Sequence, residues 1–452
     1  MEYLLNWKSL LSAKRLGSAS HVPKSMARSQ FQRDYDRIIF SSPFRRLQNK
    51  TQVFPLPGSI FVHNRLTHSL EVASVGRSLG NLLAVELEKR PEGERHDFFP
   101  EFGSIVSAAC LAHDMGNPPF GHSGEKAISR YFSDGEGQSV RGMVNDHEWR
   151  DLTHFEGNAN AFRVLTHRFN GRREGGFALT YATLASLVKY PYGSDAADEK
   201  KYKYGYFASE RETFEELARE QELLRLAVAP ERYCRHPLVY LVEAADDITY
   251  QIMDVEDAHK LKILSGTETQ ELLTAFWDSG SESDRSFFSM TREIFDTVID
   301  ANERVSYLRA MLINKLVNEC VAAFLRHYAE IMNGQFHRSL VDSLEGASAA
   351  GMKRCRALSV ERIYNHPSVI EVELAGYRIL GALLNEFVGA ALHPQSHYAQ
   401  KLLALLPEQF RSNTGDQPYT RIQSVLDFVS GMTDLYALEL YRNIHGMQIS
   451  YQ

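Results

Sequence analysis

The sequence has few cysteines and no long apolar run. Its four cysteines are dispersed and form no Cys-x-x-Cys pair, so neither a disulfide framework nor a zinc ribbon is predicted. The most apolar stretch, ILGALLNEFVGAAL, contains Asn385 and Glu386 and is too short to span a bilayer. The first residues, MEYLLNWKSLLSAKRLG, show no continuous apolar run, so we expect no signal peptide. These absences favour a cytoplasmic protein without membrane attachment.

The overall composition is typical of a soluble globular protein, with 44% hydrophobic and 24% charged residues. The net charge of −7 at pH 7 argues against a surface that coats nucleic acid generally. One segment, residues 24–50, departs from this balance. It predicts a local site for phosphate groups, although a solvated basic helix face would give the same pattern. Its cations are Lys24, Arg28, Arg33, Arg37, Arg45, Arg46 and Lys50, against the acids Asp34 and Asp36.

Helical periodicity dominates the chain, which predicts an all-α fold. The exception is TQVFPLPGSIFVHN, residues 51–64, where two short apolar runs around Pro57-Gly58 predict a small β-hairpin. A catalytic part is expected at residues 1–265 and a helical C-terminal part at 266–452, packed as one continuous unit. The polar, aromatic stretch 190–212 is typical of a mobile loop or lid. Helices are predicted at 64–89, 102–114, 236–260, 308–332 and 368–393.

The stretch LAHDMGNPPFGHSGE, residues 111–125, concentrates histidines and carboxylates. Adjacent residues on a helix point about 100° apart, so His113 and Asp114 reach one ion only near a helix end. Gly116 and the prolines that follow provide such an end. On the preceding helix, His68 lies in line with apolar residues, and a lone histidine there is more often a hydrogen-bonded core residue than a ligand.

A second polar stripe lies on the predicted helix at 236–260. Asp246, Tyr250 and Asp254 follow one another at four-residue intervals and therefore share one face. Acids on an otherwise apolar helix are costly unless they are paired or bind a cation. Two imidazoles and two carboxylates form a mixed nitrogen and oxygen set, which suits Mn²⁺, Fe²⁺, Co²⁺, Ni²⁺ or Zn²⁺ better than an ion that prefers oxygen alone.

These motifs resemble the HD-domain phosphohydrolases, whose signature is H…HD…D. The strings FQRDYDRIIFSSPFRRLQNKTQVFP, NRLTHSLEV, AHDMGNPPFGHSGE, HFEGNANAFRVL and YLVEAADDITYQIMDVEDA resemble the bacterial deoxyguanosine triphosphate triphosphohydrolase branch. The resemblance covers about residues 30–260 and, more weakly, 364–380. It implies an all-helical HD-domain fold. It also implies hydrolysis of a dNTP, with dGTP favoured, to the deoxynucleoside and inorganic tripolyphosphate by attack of metal-activated water at the α-phosphate.

The resemblance also implies roles for individual residues. The expected metal ligands are His68, His113, Asp114 and Asp246, with Asp246 preferred to its neighbour because the family's ligand lies four residues before the tyrosine. His122 and Glu125 match the catalytic pair. His122 has a side chain suited to proton transfer at neutral pH. Glu125 could orient it, or could merely be an acid in the first turn of the following helix.

Substrate contacts form the third implied group. Arg65, His154, Lys189 and Tyr190 match contacts to the triphosphate, and Gln52 and Asp254 match positions near the nucleoside. Tyr250 is expected to stack under the deoxyribose and to exclude a 2′-hydroxyl by steric clash. The alternative is a core aromatic, which the neighbouring Ile248 and Ile252 would also accommodate.

The cofactor implied is a divalent metal ion, Mn²⁺ or Mg²⁺, with Fe²⁺, Co²⁺, Ni²⁺ and Zn²⁺ as alternatives. The resemblance further implies a homo-oligomer, a hexamer by analogy, and allows a second nucleotide as activator or a single-stranded nucleic acid as partner. Two other function classes stay open. One is another HD-domain nucleotide phosphohydrolase or phosphodiesterase, and the other is a regulatory binder that responds to nucleotides or single-stranded DNA.

Overall fold

The computed structural model describes residues 3–18, 28–54, 62–89, 96–282 and 284–447. The described residues contain twenty α-helices and one two-stranded sheet, and the predicted all-α class is confirmed. No helix among them is both long and apolar enough to cross a bilayer. The helices are α1 (Trp7–Leu10), α2 (Gln30–Ile39), α3 (Ser42–Arg46), α4 (Arg65–Glu88), α5 (Phe102–Ala112), α6 (Gly121–Ser133), α7 (Asp146–Thr153), α8 (Gly157–Thr166), α9 (Tyr181–Leu187), α10 (Arg211–Glu220), α11 (Val239–Lys260), α12 (Gly266–Thr274), α13 (Arg285–Thr297), α14 (Ala301–Arg326), α15 (Tyr328–Met332), α16 (Gly346–Leu358), α17 (Pro367–Leu392), α18 (His397–Ala404), α19 (Pro418–Ser430) and α20 (Asp434–Ile444).

The long helices follow the apolar periodicity closely. Helices α4, α5, α11 and α17 lie within the predicted ranges or extend one residue beyond them. The helix predicted at 308–332 is instead two helices. Helix α14 begins earlier, at Ala301, and ends at Arg326, and α15 begins at Tyr328. Helix α4 begins with a capping box in which the Asn64 side chain accepts from the Thr67 backbone amide, so its first turn is fixed where Arg65 and His68 emerge.

The hairpin predicted at 51–64 falls largely on residues 55–61, which lie outside the described residues. At its two ends Thr51 and Asn64 form an isolated antiparallel bridge. The sheet that the structure does contain pairs β1 (Arg225–Val228) with β2 (Glu231–Tyr233), in a stretch where the sequence analysis predicted no strand.

Close packing of α4 on α5 positions the first half of the site. A Cβ atom at Gly80 would lie 2.8 Å from the Gly103 amide nitrogen and from the Phe102 carbonyl, so only glycine permits this helix spacing. Helix α11 packs against the same pair through buried Ala244, Ala245 and Ile248. The three helices therefore bring residues from three separate segments of the sequence together in the main core.

A second apolar cluster joins α6 to the C-terminal helices α17 and α19. The stretch 190–212, called the strap below, lies at the edge of this cluster and contains two short 3₁₀ turns before α10 begins at Arg211. It is otherwise irregular, and Tyr204, Tyr206 and Phe207 are each fully buried. These three aromatics pack the strap against the protein, and that it is a mobile loop or lid stays a prediction. The division of the chain at residue 265 stays a prediction.

Candidate active site

Two histidines and two carboxylates from α4, α5 and α11 meet at the inner end of one cavity. The Nε2 atom of His68 lies 3.0 Å from Oδ1 of Asp246, and Nε2 of His113 lies 3.5 Å from the same oxygen. Asp114 joins them with Oδ1 3.7 Å from His113 Nε2. One donor atom each from His68, His113 and Asp114 falls within 4.8 Å of the others, close enough for one metal ion.

The donor chemistry of this cluster fits a divalent metal ion. His113 Nδ1 donates to the Cys110 carbonyl at 2.6 Å, which leaves Nε2 facing the cluster as a potential ligand atom. That buried Nε2 has no hydrogen-bond partner among the described residues. Although burial opposes protonation, the charges of Asp114 and Asp246 raise the pKa of His113 to about 9. The carboxylates thus stabilise positive charge at the point where an ion would bind.

Asp246 and Asp247 are adjacent but point to different surroundings. Asp246 contacts the two histidines, which together with their charges hold its pKa well below the usual range despite its burial. Burial instead raises the pKa of Asp247 to about 7, and the nearest cation acting on it is Lys189. Both carboxylates line the cavity, and Asp246 is the one in contact with the two histidines.

His122 and Glu125 form a pair at the mouth of the cavity. His122 Nδ1 lies 3.1 Å from Glu125 Oε2, and the imidazole is 70% exposed whereas the carboxylate is 10% exposed. The hydrogen bond and charge of Glu125 raise the pKa of His122. Glu125 Oε1 also accepts from the Gly157 amide at 3.0 Å, and only glycine fits at 157 because a Cβ would lie 2.5 Å from that oxygen.

The same geometry rejects the alternative in which Glu125 is a first-turn acid. Helix α6 begins at Gly121, and its first turn contains no acidic residue. Glu125 lies in the second turn with its carboxylate held by His122 and Gly157. Phe120 precedes the helix in the left-handed conformation, with φ of 62°, which turns the chain sharply after the two prolines.

Three cations line the cavity, and each is engaged by a carboxylate. In two of the pairs the acid is almost fully buried, so both partners are fixed in place. The guanidinium Nε of Arg65 is buried and has no partner among the described residues, so Arg65 retains a donor. The pairs are Arg65 with Asp114 at 2.7 Å, Lys189 with Glu243 at 2.9 Å and Lys203 with Glu156 at 2.7 Å.

Gln52 and Tyr250 line the opposite wall of the cavity, whose volume is about 310 Å³. Gln52 Oε1 is buried without a hydrogen-bond partner among the described residues, which suits an acceptor awaiting a ligand. The Tyr250 ring stacks on Tyr364 with centroids 6.1 Å apart. Asp254 does not line the cavity. It is buried beneath these rings, accepts from the Tyr364 hydroxyl at 2.7 Å, and burial raises its pKa to about 8.

Tyr190 lines the cavity as predicted, but His154 does not. The His154 ring stacks on Tyr202 of the strap with centroids 3.7 Å apart. It lines a separate cavity of about 130 Å³ between α7 and the strap. The structure therefore places His154 beside the site rather than in it.

Several residues at the site were not predicted, among them Lys203, Glu156 and Asp434. Lys203 of the strap and Glu156 of the HFEGN motif both line the cavity, and a lysine inside a polar aromatic stretch was the available signal. Asp434 at the start of α20 accepts from the backbone amides of Thr51 at 2.8 Å and Phe120 at 3.0 Å. It thereby connects the chain before Gln52 to the turn before His122, and nothing in its local sequence indicates that role.

Comparisons with known proteins agree with this arrangement. Residues 65–173 match the HD domain, and residues 343–443 match the phosphohydrolase-associated domain. The chain is 37% identical to a deoxyguanosinetriphosphate triphosphohydrolase-like protein of Synechocystis, with 98% of this chain and 100% of that one covered. It is 39% identical to one of Pseudomonas aeruginosa (98% and 99%) and 30% identical to the deoxyguanosinetriphosphate triphosphohydrolase of Yersinia enterocolitica (92% and 93%). The chain belongs to the deoxyguanosinetriphosphate triphosphohydrolase-like family of HD-domain phosphohydrolases.

Proposed function

We propose that the protein hydrolyses deoxynucleoside triphosphates, dGTP above all, to the deoxynucleoside and inorganic tripolyphosphate. The observation that carries this is one cavity lined by His113, Asp114 and Asp246, with His68 in contact with Asp246, together with a histidine–carboxylate pair and three cations. A phosphodiester or a monophosphate needs fewer cations than a triphosphate chain. The names of the relatives support a nucleotide substrate. Three other points stay predictions: homo-oligomerisation, activation by a second nucleotide and binding of single-stranded nucleic acid.

The four residues proposed to hold the ion are His68, His113, Asp114 and Asp246. Mn²⁺ or Mg²⁺ is the proposed ion, and the mixed donor set also accommodates Fe²⁺, Co²⁺, Ni²⁺ or Zn²⁺. The chemistry that such an ion supplies when bound is Lewis acidity, which polarises phosphate oxygens and lowers the pKa of water. Arg65 donates to Asp114 Oδ2 at 2.7 Å, which would orient this carboxylate as a ligand.

The reaction breaks the bond between the α-phosphorus and the 5′ oxygen. One water is consumed: its hydroxyl group remains on the α-phosphorus, and a proton must reach the departing 5′ oxygen. His122 is exposed at the cavity and Glu125 raises its pKa, so His122 is proposed to donate that proton as a general acid. Glu125 in turn is fixed by Gly157, which keeps the imidazole oriented.

The remaining residues bind and select the substrate. Lys189 and Lys203 neutralise the phosphate chain by exchanging their present carboxylate partners for phosphate oxygens, whereas Arg65 keeps Asp114 and donates to the phosphate through its unpartnered Nε. Gln52 is proposed to hydrogen-bond the 3′-hydroxyl through its unpartnered Oε1. Tyr250 packs under the sugar and fills the space of a 2′-hydroxyl, while Asp254 supports it from beneath through Tyr364.

Product identification tests this function directly. Each dNTP, alone and in pairs, is incubated with the protein in Mn²⁺ or Mg²⁺, and the products are identified by mass spectrometry. Deoxyguanosine and tripolyphosphate in equal amounts are expected from dGTP. Orthophosphate or pyrophosphate would instead indicate another nucleotide phosphohydrolase, and nucleotide binding without any product would indicate a regulatory binder.

A further inference from the structure

Asp151, near the end of α7, is a buried carboxylate that accepts hydrogen bonds from two other parts of the chain, the strap and α19. Its Oδ1 accepts from the Ser194 hydroxyl at 2.5 Å, and its Oδ2 accepts from the Ala208 amide at 2.7 Å and the Tyr419 hydroxyl at 2.6 Å. Among the described residues no lysine or arginine forms an ion pair with it, and the basic group within 4 Å is His147 Nε2 at 3.9 Å. Burial raises the pKa of Asp151 to about 7, and the three donors act against this rise. A carboxylate buried in this way is costly without its donors, so its position depends on all three.

Asp151 contacts the strap close to both of its ends. Ser194 lies near the start of the strap and Ala208 near its end, and both donate to the same carboxylate. Between them the Tyr204 hydroxyl donates to the His154 carbonyl at 2.9 Å, directly after α7. One side chain of α7 therefore determines where the intervening stretch of the strap begins and ends.

Lys203 lies in that stretch and faces the candidate active site. Its Nζ lies 2.7 Å from Glu156 Oε2 and 3.9 Å from Glu125 Oε2, and both acids line the cavity. The ring of Tyr202, on one side of it, stacks on a histidine ring with centroids 3.7 Å apart, and Tyr204, on the other side, is fully buried. A lysine ammonium sits on a flexible four-carbon stem, so its average position depends on where the backbone beneath it is fixed.

Tyr419 connects this arrangement to the C-terminal part of the chain. It lies in α19, within the residues that match the phosphohydrolase-associated domain. Its hydroxyl accepts from Gln423 Nε2 at 2.7 Å, which leaves the hydroxyl proton for Asp151. Neither Tyr419 nor Asp151 is among the described residues that line the cavity of the candidate active site. Any effect of either residue on a substrate must therefore pass through the strap.

We propose that Asp151 is a positioning residue for the substrate, acting through the strap to keep Lys203 where the phosphate chain binds. Its hydrogen bonds from Ser194 and Ala208 hold the strap, and the one from Tyr419 adds α19 to the same support. This role rests on the proposed function, which assigns Lys203 to the phosphate chain. The alternative is that Asp151 only stabilises the fold.

A double-mutant cycle on dGTP turnover distinguishes the two. The kcat and KM are measured in Mn²⁺ for the wild type, D151A, K203A and D151A/K203A. K203A should raise KM by about tenfold, as expected when a charge-assisted hydrogen bond is lost, with a smaller change in kcat. D151A should also raise KM, and the double variant should be no worse than K203A, because both changes remove the same contact. An unchanged KM in D151A, or increases that add in the double variant, would overturn the role.

Two control variants separate positioning from stability. Asp151→Asn should restore KM, because its amide nitrogen can donate to the Ser194 hydroxyl while its oxygen keeps the other two donors. A KM in D151N as high as in D151A would count against the role. Asp34→Ala removes another buried carboxylate, which accepts from the Thr180 amide at 3.0 Å and hydroxyl at 2.6 Å. It should lower Tm without raising KM, and an increase in KM equal to that of D151A would overturn the role.

Two further measurements keep the outcome decisive. If circular dichroism shows that D151A does not fold, Ser194→Ala replaces it in the cycle, since it removes one of the two hydrogen bonds to the strap. Hydrogen exchange in peptides covering residues 195–207 should be faster in S194A than in the wild type, and equal exchange would overturn the role whether or not dGTP is hydrolysed. Product identification with the wild type tests the proposed function separately, so a different product from dGTP would contradict that function and not the attachment of the strap.

Discussion

The two cavities that meet at residues 115–117 treat their cations in opposite ways. In the cavity lined by His113, Asp114 and Asp246, which we call the metal cavity, Arg65, Lys189 and Lys203 each form an ion pair with a carboxylate. Their positive charges are therefore paired before a ligand binds. In the cleft lined by α2, α3, the segment 169–178 and the end of α19, which we call the basic cleft, Asp427 and Glu174 pair with arginines outside it. Of its lining cations, Arg15 pairs with Asp34, whereas Arg46 and Arg172 have no carboxylate within ion-pair distance among the described residues. The first arrangement suits a ligand that brings both a metal ion and phosphates, whereas the second leaves positive charge without a paired carboxylate.

The largest expected effect tests the proposed metal ligands, which belong to the metal cavity. Asp246→Ala removes the carboxylate that contacts both histidines, so metal binding and turnover should both be lost. A fall in kcat of about 10³-fold or more corresponds to losing several kcal/mol of transition-state stabilisation. Metal content is measured by elemental analysis beside dGTP turnover.

Asp247→Asn is the matched control, because it alters the adjacent carboxylate without touching the histidines. It should retain stoichiometric metal. If Asp246→Ala kept metal and a near-normal rate, or if Asp247→Asn lost the metal instead, the ligand set would be wrong.

The second-largest expected effect concerns His122 and His154, which the sequence analysis assigned to the same site. His122→Ala should still bind metal and dGTP but lose about 10²-fold or more in kcat, the usual contribution of a general acid. His154→Ala should have a smaller effect, since its ring stacks on Tyr202 outside the cavity. Single-turnover rates at saturating dGTP measure both. A greater loss from His154→Ala would favour the sequence prediction over the observed geometry.

The sequence predicts the helices well because apolar residues recur at helical spacing in α4, α5, α11 and α17. It also singles out His68, His113, Asp114 and Asp246, whose types and spacing are sufficient to suggest a metal. Which charged side chains form ion pairs with one another is not predictable in this way. That Arg65 holds Asp114, and that Lys189 holds Glu243, depends on which helices pack together.

Long-range contacts explain what the sequence could not indicate. Asp434 connects two loops that lie more than three hundred residues before it, through backbone amides that have no sequence signature. The strap contains polar residues throughout, but its conformation is determined by three buried aromatics that pack on distant helices. The basic cleft needs the end of α19 as its floor, so a basic segment alone cannot define it.

The third effect concerns substrate choice within the metal cavity. Tyr250→Ala removes the ring proposed to occupy the space of a 2′-hydroxyl, so the ratio of kcat/KM for dGTP to that for GTP should narrow by about tenfold. The Tyr250→Phe variant keeps the ring and should keep the ratio. Circular dichroism checks that both remain folded. Loss of folding in Tyr250→Ala, with no change in selectivity in any folded variant, would favour the core-aromatic interpretation.

The smallest expected effect is a shift in the pH dependence of kcat, which tests the interaction of Glu125 with His122 in the metal cavity. Glu125 raises the pKa of His122 through its hydrogen bond and charge. A general acid must be protonated, so activity is present below this pKa and is lost as the pH rises through it. Glu125→Gln removes the negative charge while preserving size. The pKa of His122 should therefore fall towards its ordinary value, and the alkaline limb of kcat should move to lower pH.

The direction of this displacement distinguishes two roles for the imidazole. If His122 acted as a general base, activity would require its neutral form, and Glu125→Gln would move the acidic limb to lower pH instead. His154 supplies the contrast, because burial lowers its pKa and no carboxylate is hydrogen-bonded to it among the described residues. His154→Gln should therefore leave the alkaline limb in place. If that limb moved with His154→Gln and not with Glu125→Gln, the proton would have to be assigned to His154.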